Sequence, residues 1–389
     1  MAAKRYVIVG GGMTANAAAQ GIREVDAQGS IEVIGAEPHA PYARPPLSKA
    51  LWKGQPEDSV WLQQAKDVKL TTGRRVTKVD RKARQVIDDQ GGSHPYDKLL
   101  LATGGTPRRL PFGGDSVVYF RTLDDYRRLR RGGKRAVVIG GGFIGSEIAA
   151  ALSIDGRQVT MIFPEDGICA RAFPKDLAAF VTGYYREKGV EVLTTDVPTA
   201  VSATGVRSKS GRDLLADVIV AGLGIVPDTK LAEEAGLTVR DGIVVDAQLR
   251  TSDPDILAAG DVARFRSEVL ETEMRVEHED NANTMGRLAG QSMAGASVSW
   301  RHVPMFYSDL FDLGFEAVGK LDSKMKTLSV WEVPFRKGVV VYLGDQKVKG
   351  VLLWNQTKML DWARKLITEQ STPDSIENLK RSLPMLSKV

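Results

Sequence analysis

Cysteine is nearly absent: Cys169 is the single one in 389 residues. That excludes an internal disulfide, a Cys-X-X-Cys redox pair and a zinc cluster. With only four histidines, a metal centre is not expected either. No apolar run approaches the ~18 residues that crossing a bilayer requires, so no membrane span is expected. The opening "MAAKRYVIVGGG" turns strand-like at about residue 5, which leaves no room for a targeting peptide. A reduced, cytoplasmic setting is the expectation. Excess charge is small, a formal net +5, with basic residues gathered in "YRRLRRGGKR" (126–135). No nucleic-acid-binding motif accompanies them, so nucleic acid is not an expected partner.

What is plentiful is glycine, 39 residues, and its placement is duplicated. "KRYVIVGGGMTANAAAQGI" (4–22) and "KRAVVIGGGFIGSEIAAAL" (134–152) each join a β-branched strand, three glycines and an Ala-rich helix. A second strand follows each, "IEVIGAE" (31–37) and "QVTMIFPE" (158–165), completing two βαβ units. Further strand-like runs are "VTKVD", "RQVIDD" and "KLLLATGG" after the first unit, and "VEVLTT", "DVIVAGLG", "GIVVD" and "DILAAGDV" after the second. The Ala/Gly-rich "NANTMGRLAGQSMAG" (281–295) reads as a helix able to pack closely on a sheet. From about residue 301 the texture changes to "TLSVWEV", "GVVVYLGD" and "KVKGVLLW", then the amphipathic "TKMLDWARKLITEQ". The class is therefore α/β, with two Rossmann-like domains, the second inserted in the first, and a C-terminal α+β domain. Expected bounds are 1–113 and 242–300 for the first domain, 114–241 for the second and 301–389 for the third.

Each unit carries a dinucleotide fingerprint. In the first, Gly10 permits a tight turn, Gly12 lets backbone approach a pyrophosphate, and Ala15 allows close helix–strand packing. The helix start then turns its positive end to the phosphates. Glu37 ends the next strand, where a carboxylate accepts from both ribose hydroxyls. The second copy has Gly140, Gly142 and Gly145, with Glu165 at the strand end. A carboxylate there favours a free 2′-hydroxyl and repels a 2′-phosphate, so NADH is expected over NADPH, although Arg157 and Arg171 lie near in sequence. Two bound dinucleotides follow.

One stretch fits no plain connector. "PYARPPLSKALW" (41–52) places three prolines around Arg44 and Lys49, and each proline fixes φ and removes a donor. This loop, "LLLATGG", "GGFIGSE", "ILAAGDV", "VEHEDNA", "MFYSDL" and "GFEAVG" together resemble the two-dinucleotide flavoprotein reductases. Within them the sequence is similar to the ferredoxin-reductase-like branch that includes the apoptosis-inducing factors, from residue 4 to about 370.

The resemblance implies FAD in the first cradle and NAD(H) in the second. It puts Arg44 and Pro45 along FAD and Lys49 beside flavin N5, where a cation stabilises charge gained on reduction. Glu147 is the implied partner of that lysine, and the pair is the candidate catalytic centre. Asp261 is implied at the ribityl hydroxyls, Thr103 and Gly104 along the dinucleotide, and Val76 and Arg121 at further FAD contacts. Phe143, followed by Ile144, resembles the aromatic lying over the flavin until nicotinamide displaces it. Arg171 and Gly224 match positions around the NAD ribose and phosphates, Glu277 and His278 the far flavin edge, and Glu316 the acceptor for the nicotinamide amide. The family's "VEHHDH" is "VEHEDN" here, with Glu279 and Asn281 replacing histidines, and Tyr307 stands where a tryptophan is common.

The implied activity is hydride transfer from NADH to flavin N5. With no cysteine pair, electrons then pass directly to an acceptor: a ferredoxin, a rubredoxin, a quinone or oxygen. The alternative is an NADH-sensing flavoprotein whose output is a long-lived flavin–NAD complex with changed homodimerisation or partner binding.

Overall fold

The computed structural model describes residues 3–373 and 375–383, so the extreme ends of the first and third expected domains lie outside it. The chain divides into two compact units. One comprises 1–43, 58–106 and 226–304, the other 44–57, 107–225 and 305–389.

In the first unit a five-stranded parallel sheet runs Ile256–Ala258, Lys98–Leu101, Arg5–Val9, Ser30–Gly35, Val68–Thr72. Tyr6, Val7, Ile8 and Val9 of the central strand are all buried, as a strand covered on both faces requires. The Met13–Val25 helix follows it. The Glu279–Ala294 helix packs on the sheet and also against that helix. A Cβ added at Gly286 or Gly290 would lie 2.4 or 2.0 Å from the Thr14 or Ala18 carbonyl oxygen. Only glycine lets the two backbones approach so closely.

The second unit repeats the arrangement: Glu191–Leu193, Gln158–Ile162, Arg135–Ile139, Val218–Ala221, Val117–Tyr119, all parallel. The duplication extends further than the glycine motifs. In each unit a three-stranded antiparallel meander precedes the strand beside the central one: Val76–Asp80, Gln85–Asp88, Ser93–Pro95 in the first; Pro198–Ser202, Gly205–Ser208, Asp213–Leu215 in the second. The second unit also holds an antiparallel sheet in the order Met305–Leu310, Leu313–Gly319, Lys347–Trp354, Lys337–Gly344, Lys326–Val333. The Leu360–Thr368 helix lies against its middle strands. Two Rossmann-like sheets and a C-terminal α+β layer thus make up the α/β fold.

The two halves share an ionic device. Arg5 opens its central strand and forks onto Asp97, with backbone N and Nη2 each 2.8 Å from the carboxylate. Arg135 does the same with Asp217, through its backbone N at 2.9 Å and Nη2 at 2.5 Å. Each aspartate sits just before the strand that pairs with the arginine's own. The arginine side-chain hydrogen bond holds Asp97 and Asp217 down at about 2, against an ordinary 3.8. Depressed carboxyls stabilise the fold above their ordinary value and lose that contribution as pH falls toward 2. We therefore expect D97N and D217N to lower the urea midpoint at neutral pH. The gap from the parent should close between roughly pH 4 and pH 2; a gap independent of pH would contradict the linkage.

Candidate functional site

In the first unit Gly10 ends the central strand at φ +129°, and a Cβ there would fall 2.1 Å from the Ala102 carbonyl oxygen. Gly12 differs. It caps the Met13–Val25 helix in extended backbone without a side-chain cap, and a Cβ on it would meet nothing within 4 Å. A helix start with no side-chain cap and open space in front is what a pyrophosphate fits. Ala15 is fully buried behind it. Glu37 accepts a 2.5 Å hydrogen bond from the Tyr42 hydroxyl. The Thr103 hydroxyl donates to the Asp228 carbonyl at 2.7 Å, and Asp228 N donates to the Gly104 carbonyl at 3.0 Å, pinning that turn. Val76 lies in the hydrophobic core.

Asp261 sits in the short Gly260–Val262 turn, and its carbonyl accepts from Arg275, which also pairs with Glu277 at 2.7 Å. His278 begins the Glu279–Ala294 helix. Burial pushes its imidazole down to about 4 although Asp261 and Asp280 pull the other way, so it is neutral at physiological pH. Of the two residues replacing family histidines, Asn281 is fully buried and donates to the Val276 carbonyl.

The second unit holds the matching cradle. A Cβ at Gly140 (φ +121°) would lie 2.4 Å from the Gly222 carbonyl oxygen, and one at Gly145 2.1 Å from that of Gly140. Gly142 again faces open space at an uncapped helix start, that of Phe143–Ile154, with Ile144 exposed on the first turn. Glu165 pairs with Arg171 at 2.5 Å, and the arginine is 86% exposed. Arg157 is committed elsewhere: it holds Asp155 and the Leu129 and Arg130 carbonyls. Gly224, at φ +79°, also borders open space, and its carbonyl accepts from Arg108 N.

From Arg44 onward the proline-stiffened loop belongs to this unit. Pro45–Ser48 and Ala50–Lys53 are short 3₁₀ turns on either side of Lys49. Arg44 donates to the Arg121 carbonyl at 2.8 Å, and Trp52 meets Tyr126 edge-on under the guanidinium of Arg130. So held, Lys49 Nζ reaches Glu147 Oε2 at 2.7 Å; the side chains are 10% and 3% exposed. Ser48 donates to the same oxygen at 2.6 Å and Ser308 to Oε1 at 2.6 Å. Lys49 Nζ also lies 5.2 Å from the centroid of the Tyr307 ring. The carboxylate is thus a knot joining the loop, the Phe143–Ile154 helix and the Met305–Leu310 strand. Sequence reasoning found the lysine and the acid but not the two serines. The signal was there: a buried carboxylate needs more donors than one ammonium supplies.

Beside this knot Phe143 nests among Phe306, Phe315 and Phe173 at 5.0, 5.6 and 6.0 Å between centroids. Glu316 pairs across strands with Tyr307. Its Oε2 is buried with no hydrogen-bond partner among the described residues, and burial pushes its carboxyl up. Cys169 is buried and free, its thiol pushed up to about 12 by burial, so it is not a thiolate nucleophile. The basic run is largely neutralised: Arg127 pairs with Glu57 and Asp124, Arg130 with Asp155, and Arg128 donates to the Asp115 carbonyl.

Residues 4–286 match the pyridine nucleotide-disulphide oxidoreductase family, and 289–334 match the C-terminal region of mitochondrion-associated apoptosis-inducing factor. The ferredoxin–NAD(+) reductase component of the anthranilate 1,2-dioxygenase system from Burkholderia cepacia is 36% identical, over 96% of each chain. Apoptosis-inducing factor 1 of Dictyostelium discoideum is 32% identical, over 97% of this chain and 81% of that one. A solved covalent putidaredoxin reductase–putidaredoxin complex superposes with a TM-score of 0.90 at 32% identity, covering 95% of this chain and 94% of that one. The chain belongs to the pyridine nucleotide-disulphide oxidoreductase family. It is an FAD-dependent NAD(P)H oxidoreductase that uses FAD and NAD(H).

Proposed function

From that membership we propose that the protein is an NADH-dependent reductase that passes electrons to a ferredoxin-type iron–sulfur protein without a cysteine relay. The observation that carries this reading is the pairing of a complete second cradle with a single, buried Cys169. A family named for disulphide chemistry is represented here by a chain with no cysteine pair to form an internal disulphide. The relatives named as ferredoxin reductases support the acceptor class; a rubredoxin would serve the same role.

Bound FAD supplies the redox chemistry, taking a hydride from NADH and giving electrons up singly. The chain's own part is binding and charge. Residues 1–113 with 242–300 form the FAD domain, 114–241 the NAD(H) domain and 301–389 the C-terminal domain. The Gly12 helix start receives the FAD pyrophosphate, with Glu37 for the adenosine ribose. Arg44, Pro45, Val76, Thr103, Gly104, Arg121, Asp261, Glu277, His278 and Tyr307 contribute the remaining FAD contacts. The Gly142 helix start, Arg171 and Gly224 take the NADH phosphates and ribose. The orphaned Oε2 of Glu316 accepts from the nicotinamide amide, which settles its missing hydrogen bond on binding. Phe143 covers the ring position until nicotinamide arrives. Lys49 presents its ammonium to the flavin, with Glu147 as counter-charge.

Glu165 sets the preference for NADH. Arg157 is occupied, and only Arg171 stands free enough to greet a 2′-phosphate once Glu165 lets it go. Glu165→Ala is accordingly expected to raise NADPH use and lower NADH use. The change in the ratio of kcat/KM values should be roughly tenfold or more, the worth of a bidentate charged contact. Unchanged selectivity would refute the assignment.

The match to the apoptosis-inducing-factor C-terminal region favours a second reading, an NADH sensor in which reduction changes homodimerisation. Both readings assume a cytoplasmic protein. The deciding experiment is anaerobic mixing with one equivalent of NADH, followed by oxidised [2Fe–2S] ferredoxin or air. Reoxidation within seconds by ferredoxin supports the reductase. Long-wavelength absorbance that outlasts the ferredoxin, with a change in molecular size, would overturn it in favour of the sensor.

A further inference from the structure

Glu147 is 3% exposed and carries three donors: the Lys49 ammonium and the Ser48 hydroxyl on Oε2, and the Ser308 hydroxyl on Oε1. The two serines lie 99 and 161 residues from it in sequence, and both are buried, at 6% and 1% exposure. A buried serine hydroxyl aimed at a carboxylate has one proton and one best use for it. Both distances are 2.6 Å, the short range of charge-assisted O–H···O⁻ bonds. The carboxylate cannot swing, because its two oxygens are held from opposite elements.

Such an arrangement does more than fill hydrogen bonds. The positive ends of two O–H dipoles point at the carboxylate and offset part of its charge. What the carboxylate does not spend on its serines it spends on Lys49. In a low-dielectric pocket this division of charge is felt strongly at a few ångströms. We propose that Ser48 and Ser308 are positioning residues that fix the Glu147 carboxylate against Lys49 and thereby set how much positive charge the flavin ring experiences. The proposal rests on the reading of Lys49 as the cation facing the flavin.

The direction of the effect follows from the dipoles. Deleting either hydroxyl removes a positive end and leaves the Glu147 charge less offset. The potential at the ring becomes more negative, and taking up electrons becomes harder. The midpoint of the bound flavin therefore falls in Ser48→Ala and in Ser308→Ala, and furthest when both are combined. The equilibrium constant for reduction by NADH should drop roughly threefold to tenfold per hydroxyl, a part of what a hydrogen bond to a charged group is worth. Ser48→Thr and Ser308→Thr keep the hydroxyl and return the midpoint toward the parent value.

The test is a dye-equilibrium titration of each FAD-loaded variant, with flavin content checked by absorbance and Lys49→Met run beside them. Lowered midpoints in the alanine variants with recovery in the threonine variants support the proposal. Parent-like midpoints in both alanine variants, while Lys49→Met shifts its own, would overturn it and leave the Lys49 reading standing. If Lys49→Met changes neither midpoint nor hydride rate, the Lys49 reading itself fails. Should the double variant not fold, the two single variants carry the comparison. A uniform loss of stability with no change in midpoint would mark the serines as packing residues only and count against the proposal.

Discussion

Gly12→Asp is expected to yield a folded but colourless protein. The position is built for it in every respect but one. Gly12 has φ −94° in extended backbone and no atom within 4 Å of where a Cβ would go, so aspartate enters without strain. As the cap of the Met13–Val25 helix, aspartate is among the preferred residues and complements the helix's positive end. The fold without cofactor should be as stable as the parent's, or better by a few tenths of a kcal/mol. The pyrophosphate, however, would meet a carboxylate instead of the positive end of the helix. At ~4 Å and an effective dielectric of ~20 one such repulsion costs about 4 kcal/mol, on the order of a thousandfold in affinity. Gly142→Asp should do the same to NADH while the protein stays yellow. Visible absorbance after desalting, with an NADH titration, separates the two. A yellow Gly12→Asp protein would remove FAD from the first cradle. Gly10→Ala cannot serve as this test, since at φ +129° with the Ala102 oxygen 2.1 Å away it strains the backbone itself.

The glycine cradles were legible because they are local: strand, turn and helix start fall within twenty or so residues, where pattern and chemistry coincide. The central strands and the C-terminal ones read well for the same reason, being apolar on both faces or over long runs. Val68–Thr72 did not read as a strand, because an edge strand with half-exposed side chains, "VKLTT", lacks either signature. The meanders did not read as repeats, since short antiparallel strands conserve register and not composition. What escaped the site itself was donated from afar. Glu147 announced a need for a cation, and Lys49 answered it through the family's pattern. Ser48 and Ser308 are two among many serines until the fold brings them to one carboxylate. The basic run hides its partners in the same way: five arginines fall within its ten residues, and the fold brings Glu57 and Asp124 to Arg127 and Asp155 to Arg130.

The buried pair supports a prediction in which stability and catalysis part company. Glu147→Leu removes the counter-charge of an ammonium whose side chain is only 10% exposed, leaving Lys49 with the face of Tyr307 and two serine hydroxyls without their acceptor. Breaking a buried pair from one side costs about 3–5 kcal/mol, and the lower end applies because an aromatic face remains. Lys49→Met is milder, about 1–2 kcal/mol, because Ser48 and Ser308 still satisfy the carboxylate. Joined, the substitutions remove both charges and leave an apolar contact of similar volume, so Lys49→Met with Glu147→Leu should recover the part of the loss owed to the unpaired ammonium, while the two serine hydroxyls still lack their acceptor. Flavin reduction by NADH should not recover. Each variant lacks the cation, or the anchor that aims it, and removing one preorganised charge from a buried site slows the step by roughly a hundredfold. Denaturant midpoints and anaerobic stopped-flow rates on the same four proteins complete the cycle. A double variant as unstable as Glu147→Leu alone would mean that the acid serves packing and not Lys49. Parent-like hydride transfer in Lys49→Met would mean that the family's lysine has lost its role in this chain.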